Sequence, residues 1–520
     1  MSLFKKKSKD IPFSYPIEFE GKEATATCRF DPSFLKGDGF SLPLCRASLA
    51  LALASFSSPS EDKAENIKQF LAELGCKDIK ANDDYSLVPH PRTIGCAIGK
   101  KKLGWRKTLF IVGIRGGAYL GEWGGNFLVG RNGFHEGFDI ASEKALKFIE
   151  SYIAKTKGKK ILWTAGYSRG GGVANLLAAK AIDKGLFDEV HCYCFEAPAG
   201  GQLPKAKERK YSSIHNIVDP GDLVPLSVPA KFGFARFGID HYLPDPLLLS
   251  GAQGGFRAKE ATLRGLWSAF RDAPDDPKNP HLPASYFLRK LIDSFVSHLK
   301  SRDDYVDSLQ TGLVAFGTLI AGEGNPYLHA AEVIVSLARK AMGELGIAKL
   351  LTQGIFANKK LEESLIPIVE KELSSRKIPL DKKTISASIA RLVAIVLDVA
   401  VHEPYLLATA INSDNLKVIL SAHNPSNTLD KLMKVEHYVD EPRFCHLIFK
   451  GRLEVYASNK RLYPNPEIPV AMEIRRSVEL MLPAGEYEIR PEKKTKITLV
   501  HSSSKREEIE LSSSRKITLH

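Results

Sequence analysis

Hydrophobic residues change their spacing twice along this chain. In the first part, short apolar runs alternate with stretches of helical spacing. Lys160-Ile161-Leu162-Trp163-Thr164-Ala165 reads as a short buried strand, and residues 189–196 and 213–218 read as two more. Between the first two, Val173 to Ile182 carries apolar residues at helical spacing and stops at Asp183-Lys184-Gly185. From about Leu247 to Asn415 the spacing turns helical, over 295–316, 328–351, 361–373 and 385–401. Beyond Asp440 the period becomes two. Short runs at 445–456, 478–482, 487–490, 496–500, 508–511 and 516–519, with turn residues such as Pro483-Ala484-Gly485 between them, predict a small β-sandwich.

The junction at Gly166-Tyr167-Ser168-Arg169-Gly170 carries the chemistry. It is a G-x-S-x-G sequence with a strand before it and a helix after it, the context of the nucleophile elbow of α/β-hydrolases. Such a turn forces strained backbone on the serine, so its neighbours must be small, and Gly166, Gly170 and Gly171 supply that room. The following helix start points backbone N–H groups at the serine oxygen, where negative charge develops during acyl transfer. Downstream, Asp219-Pro220-Gly221-Asp222-Leu223-Val224-Pro225 leaves a strand through a carboxylate-bearing turn, where a hydrolase places the acid that orients its histidine.

Several blocks together resemble the class 3 lipases, and within them a bacterial lipase-like group. Phe110 to Gly117 is similar to the strand and turn that carry that family's R-G-[TS]. Glu122-Trp123-Gly124-Gly125-Asn126 and His135-Glu136-Gly137-Phe138 resemble its E-W-x-x-N and H-x-G-F, and the elbow with Val173-Ala174-Asn175-Leu176 resembles G-H-S-R-G-x-x-V-A-N-L. Asn216 to Pro225 resembles N-I-V-N-P-x-D-x-V-P, and the stretch from Asn66 to Cys76, with Tyr85 downstream, fits the N-terminal helix and L-G-F. The resemblance covers about residues 40–245 well. Two positions depart from it: Tyr167 stands where the family usually has histidine, and Gly117 where it often has Thr or Ser.

The resemblance implies Asp222 as the triad acid, with Asp219 in the rival reading closing a tight turn. In the order Ser, acid, His the base lies downstream of Asp222, leaving His241, His281, His298, His329, His402, His423, His437 and His446. The family's A-H-x-P segment points to His423, in Ser421-Ala422-His423-Asn424-Pro425 at the end of a helical run; the family's aromatic residues after it are missing here. His241, in Gly238-Ile239-Asp240-His241-Tyr242, is the alternative, close behind the acid. With the backbone N–H groups of Arg169 and Gly117 as oxyanion hole, these residues imply a serine hydrolase of carboxylic esters, of lipid or acyl type, working through an acyl-enzyme. That chemistry calls for no metal and no organic cofactor. The competing readings are an inactive lipase-like binding protein, and a thioesterase or peptidase using the same triad.

The fold expected is therefore α/β: an α/β-hydrolase core in 1–250, a long helical insertion or cap in 251–415, a segment closing the core in 416–440, and an all-β sandwich in 441–520. A chain of 520 residues, 44% apolar and 26% charged, has room for this arrangement. Net charge of +13 raises acidic partners. The cations are scattered and no nucleic-acid motif accompanies them, so peripheral contact with an anionic membrane surface is the partner class kept besides the ester substrate. The apolar run 44–56 is too short to span a bilayer, and 392–411 is broken by Asp398, Glu403 and Pro404. No apolar region follows the basic Met1 to Asp10 stretch, and the seven cysteines form no zinc-ligand pattern. A cytoplasmic protein with reduced thiols, Cys192 and Cys194 sharing one strand face, is the expectation.

Overall fold

The buried runs of the first half assemble into one seven-stranded sheet. In the computed structural model, the described residues are 10–17, 23–35, 39–86, 90–117, 133–243, 359–375, 413–435, 444–450, 453–457, 460–463, 477–483, 485–501 and 506–519, with short stretches or single positions elsewhere. The chain divides into two compact units. One comprises Met1–Pro244, Leu299–Val314 and Ile419–Val439, and the other Asp245–His298, Ala315–Val418 and Asp440–His520.

The first unit starts with an antiparallel ribbon of β1 (Asp10–Pro16) and β2 (Glu23–Arg29), followed by α1 (Leu42–Ala54) and α2 (Glu65–Glu73). Its sheet contains β3 (Lys77–Ala81), β4 (Cys96–Gly104) and β5 (Lys107–Ile114). After α3 (Glu136–Ile153) come β6 (Lys159–Tyr167), α4 (Arg169–Asp183), β7 (Glu189–Phe195), β8 (Ile214–Val218) and β9 (Ile239–Tyr242). The strands lie side by side in chain order from β3 to β9. The first three pair antiparallel, and β5 through β9 are all parallel. Helix α5 (Pro425–Lys434) returns to this unit from far downstream.

Parallel strands covered on both faces are apolar almost throughout, and β6 is buried from Ile161 to Tyr167. Alternation then sorts its side chains. Ile161, Trp163, Ala165 and Tyr167 join the hydrophobic layer that holds residues of α1 and α2 and Leu432 of α5. Leu162, on the opposite face, packs in the layer with Phe138 and Leu146 of α3 and Val173, Leu176 and Leu177 of α4. Trp163 anchors the first layer: its ring stacks on Phe30 at 4.6 Å, and its indole N–H donates to Ser48 Oγ at 2.7 Å. The Cys192 and Cys194 thiols do share a face, 3.5 Å apart and buried, and burial pushes the Cys192 thiol well above its usual range.

In the second unit, most of the stretch expected to be helical lies outside the described residues. Helix Lys359–Ser375 is described there, covering the 361–373 expectation, and Ser413–Ser421 leads towards His423. A small antiparallel pairing of Leu247–Leu249 with Pro280–Pro283 interrupts a region whose spacing predicts helix alone. The C-terminal residues form two four-stranded antiparallel sheets. One has the order Ser477–Pro483, Phe444–Lys450, Thr495–Val500, Arg506–Leu511; the other has Lys460–Tyr463, Leu453–Ala457, Gly485–Pro491, Arg515–Leu519. Leu447 and Ile497 of the first and Val455 and Ile489 of the second belong to one hydrophobic cluster. Among the described residues, no helix is long and apolar enough to cross a membrane.

Truncating the anchor of the central layer tests this packing. Trp163→Ala removes a fully buried ring and its hydrogen bond, and the expected loss is about 3–5 kcal/mol in urea-induced unfolding. A loss below about 1 kcal/mol would contradict the packing described.

Candidate active site

Every parallel strand of the sheet ends at the same edge, and Ser168, Glu196 and Asp219 each directly follow one of those ends, β6, β7 and β8. β6 runs through Tyr167, and Ser168 is the turn residue that caps α4, with φ 54° and ψ −125°. A serine in this region is strained by about 1–3 kcal/mol, a conformation that persists only when its surroundings over-determine it. They do so here by close approach. A Cβ on Gly166 would lie 2.2 Å from the Gly170 carbonyl oxygen, and one on Gly170 would lie 2.5 Å from that of Arg115. Ser168 N–H donates to the Phe195 carbonyl at 2.8 Å, fastening the turn to the end of β7.

The expected partners converge on this serine. His423 Nε2 lies 2.8 Å from Ser168 Oγ, and His423 Nδ1 lies 2.6 Å from Asp222 Oδ2. Asp222 is buried, and its other oxygen accepts the Val224 N–H at 2.9 Å, which fixes the carboxylate plane. Asp219 points elsewhere. Its Oδ1 accepts the Gly221 N–H at 2.9 Å, closing the turn, and its Oδ2 is paired with Lys431 of α5.

The alternative base, His241, is not brought to Ser168. It lies within β9, buried against Phe40, with its Nε2 3.0 Å from His215 Nδ1. Burial, helped by His215, pushes it down to about 3, so it remains a neutral core histidine. A strand-interior side chain in β9 packs within the sheet layer, whereas His423 sits in the short turn between two helices and so reaches over the strand ends.

Arg169 and Gly117 lie next to each other behind the serine: a Cβ on Gly117 would stand 3.6 Å from Arg169 Cβ. Arg169 is the first residue of α4, and that position turns its backbone N–H out of the helix end. Its guanidinium is buried and donates to the carbonyls of Pro91 at 2.9 Å and Thr93 at 3.1 Å, so the charge serves to lock the loop. Other motif residues turn out to be braces. Asn175 Nδ2 donates to Asn216 Oδ1 at 2.9 Å, and both asparagines donate to the Phe237 carbonyl, tying α4 to β8 and the approach to β9. His135 stacks on Phe138 at 3.9 Å with its Nε2 3.0 Å from the Asn126 carbonyl, and burial pushes it down to about 3. Glu122, Trp123 and Gly124 lie outside the described residues.

Sequence reasoning missed a set of buried polar groups that hold the His423 turn and the end of β7. Tyr167 donates its hydroxyl proton to the His423 carbonyl at 3.1 Å and lies 2.8 Å from Thr428 Oγ1 of α5. Thr428 Oγ1 in turn lies 3.3 Å from Glu196 Oε1, and Glu196 Oε2 accepts the Asp219 N–H at 2.8 Å. Glu196 follows β7 with a left-handed φ of 47° and is wholly buried. Burial, then the neighbouring Asp222 and Asp219, pushes its carboxyl well above the usual range, against a smaller pull from Lys431. Burial raises Asp219 as well, with Lys431 and the Gly221 N–H opposing it. The departure at Tyr167 was the one available signal that a different partner had to be found.

Residues 124–232 match the family described as lipase (class 3). Among solved structures, a triacylglycerol lipase whose catalytic centre is described as a serine protease triad is 16% identical, with a TM-score of 0.31 over 39% of this chain and 81% of that one. A Rhizomucor miehei lipase in complex with its propeptide is 17% identical, with a TM-score of 0.29 over 39% of this chain and 67% of that one. A lipase from Rhizopus microsporus var. chinensis is 17% identical, with a TM-score of 0.29 over 45% and 83%. The curated proteins contain no match.

The buried carboxyl has a pH signature. A glutamic acid whose folded pKa is raised favours the native state while it is protonated, and that contribution is lost as pH rises above its unfolded value of about 4.5. Glu196→Gln keeps the shape without an ionisable proton. The melting temperature of the variant minus that of the wild type should therefore grow between pH 5 and pH 9, and a difference independent of pH would contradict a Glu196 carboxyl pushed above its usual range.

Proposed function

We propose that this protein, a carboxylic ester hydrolase whose residues 124–232 are of the class 3 lipase family, cleaves lipid or acyl esters through Ser168, His423 and Asp222 by way of an acyl-enzyme. The observation that carries the reading is the pair of contacts along one line, Ser168 Oγ to His423 Nε2 at 2.8 Å and His423 Nδ1 to Asp222 Oδ2 at 2.6 Å.

In that reading His423 Nε2 takes the hydroxyl proton as Ser168 Oγ attacks the ester carbonyl carbon. Asp222 holds Nδ1–H and so keeps Nε2 in the accepting tautomer, then stabilises the imidazolium that forms. The carbonyl oxygen becomes an oxyanion facing the N–H groups of Arg169 and Gly117, each such donor contributing about 3 kcal/mol in hydrolases of this kind. Collapse of the tetrahedral intermediate breaks the bond to the alcohol, which leaves with the proton from His423. Water, deprotonated by His423, attacks the acyl-serine and releases the carboxylic acid and the free serine. The elbow supports this course, because its strain is one way a fold stores pre-organisation at a reacting atom. In the same proposal the α/β-hydrolase core takes in 1–250 and 416–440, residues 251–415 form a helical insertion, and 441–520 form an all-β sandwich domain.

Turnover of nitrophenyl esters with acyl chains from acetyl to palmitoyl tests the assignment. Ser168→Ala and His423→Ala should each lower kcat by at least about a thousandfold, whereas His241→Ala should keep kcat within about threefold of wild type. A rising kcat/KM with chain length supports a lipid substrate. Hydrolysis that survives Ser168→Ala in full would remove the triad.

A further inference from the structure

Tyr167 precedes the serine, yet its side chain turns away from it. Residues 167 and 168 point to opposite sides of the elbow. The Tyr167 ring lies in the layer shared with α5, fully buried, 6.1 Å from the Phe56 ring and 5.7 Å from the His423 imidazole. Its hydroxyl meets two groups from the chain segment that delivers the base, the His423 carbonyl and the Thr428 hydroxyl. That segment enters the site from 255 residues beyond Ser168, and its hold on the sheet decides where the imidazole stands.

We propose that Tyr167 is a positioning residue: with Thr428 it forms a buried hydroxyl relay that seats the His423 main chain, and so the imidazole, against Ser168 and Asp222. The inference rests on the triad reading. The Tyr167 hydroxyl donates to the His423 carbonyl at 3.1 Å and lies 2.8 Å from Thr428 Oγ1. Thr428 Oγ1 donates in turn to Glu196 Oε1 at 3.3 Å, and the far oxygen of that carboxyl is held by the Asp219 N–H. The line runs from the end of β7 through α5 and β6 to the turn that bears the base.

Buried, fully satisfied networks of this kind fix one arrangement of the groups they join, because any other leaves a polar atom unpaired away from water. An imidazole that drifts by about 1 Å costs rate rather than affinity, since substrate contacts are unaffected. The relay has nothing to do with the acyl group, so its loss should appear in kcat.

The test uses the full chain and one medium-chain nitrophenyl ester. Tyr167→Phe and Thr428→Val delete one hydroxyl each at nearly constant shape, and Thr428→Ser restores the hydroxyl without the methyl. We expect the first two to lower kcat about tenfold with KM within twofold, and Thr428→Ser to keep kcat within about twofold of wild type. The rate of labelling by a fluorophosphonate probe should fall in parallel with kcat. Thermal melting run on the same samples separates packing from positioning. A Tyr167→Phe protein that melts lower but retains wild-type kcat and labelling rate, while Ser168→Ala abolishes both, overturns the relay and leaves the triad standing. Equal kcat losses in Thr428→Ser and Thr428→Val also overturn it, because the hydroxyl would then not be the operative group. Hydrolysis unaffected by Ser168→Ala would instead sink the triad reading, and the relay with it.

Discussion

The turn at Ser168 is the constraint on which the rest of the first unit depends. A serine held at φ 54° is unfavourable on its own, and only the close approach of Gly166 and Gly170 to neighbouring backbone lets the chain pass from β6 into α4 there. Once that turn is made, several consequences follow without further cost. The serine oxygen stands clear of the sheet at the strand ends. The start of α4 lies beneath it, and the side chain of residue 167 is sent to the other face. Carbonyls of Ile114 and Arg115 must come within touching distance of Gly170, which brings Gly117 beside Arg169. The elbow is therefore a packing arrangement of three segments, and the half-buried serine is its product.

The second feature of the site is how much polarity is buried behind it. Glu196, Asp219 and Asp222 are three carboxyl groups within one buried cluster, and three like charges there would repel one another strongly. The fold resolves this by giving each a different fate. Asp222 faces His423, Asp219 is paired with Lys431, and Glu196, its carboxyl pushed up by burial, accepts from the Thr428 hydroxyl. Helix α5 supplies both Lys431 and Thr428, so one short helix supports two of the three arrangements. Arg46 of α1 reinforces it by donating to the carbonyls of Leu432 and Val435.

Legibility in the sequence followed the range of the interactions involved. The elbow was readable because all of its determinants lie within a dozen residues: a strand, a glycine-flanked serine, and a helix. The distinction between Asp222 and Asp219 came from the spacing implied by the family resemblance, and the structure supplies its physical reason, a turn that Asp219 closes with its own side chain. His423 was placed by resemblance alone, since nothing local marks a histidine that meets its serine from 255 residues away. His241 was a reasonable rival from order along the chain. In the structure its position in β9 sets the side chain beside Phe40 and His215. The hydroxyl relay was not readable at all: Tyr167 announced a changed partner, but Thr428 and Glu196 become its neighbours only after folding. The helical spacing of 251–415 overlooked the short pairing of Leu247–Leu249 with Pro280–Pro283, where two prolines in one strand carry no periodic signal.

Whether the strained serine is the activated nucleophile can be read from the adduct formed with an alkyl phosphonate ester, mapped by peptide mass spectrometry after reaction of the full chain and digestion. The expected product is one phosphonyl group in wild type, on the peptide containing Ser168. An adduct on a different residue, or a folded protein that reacts with none, would contradict it.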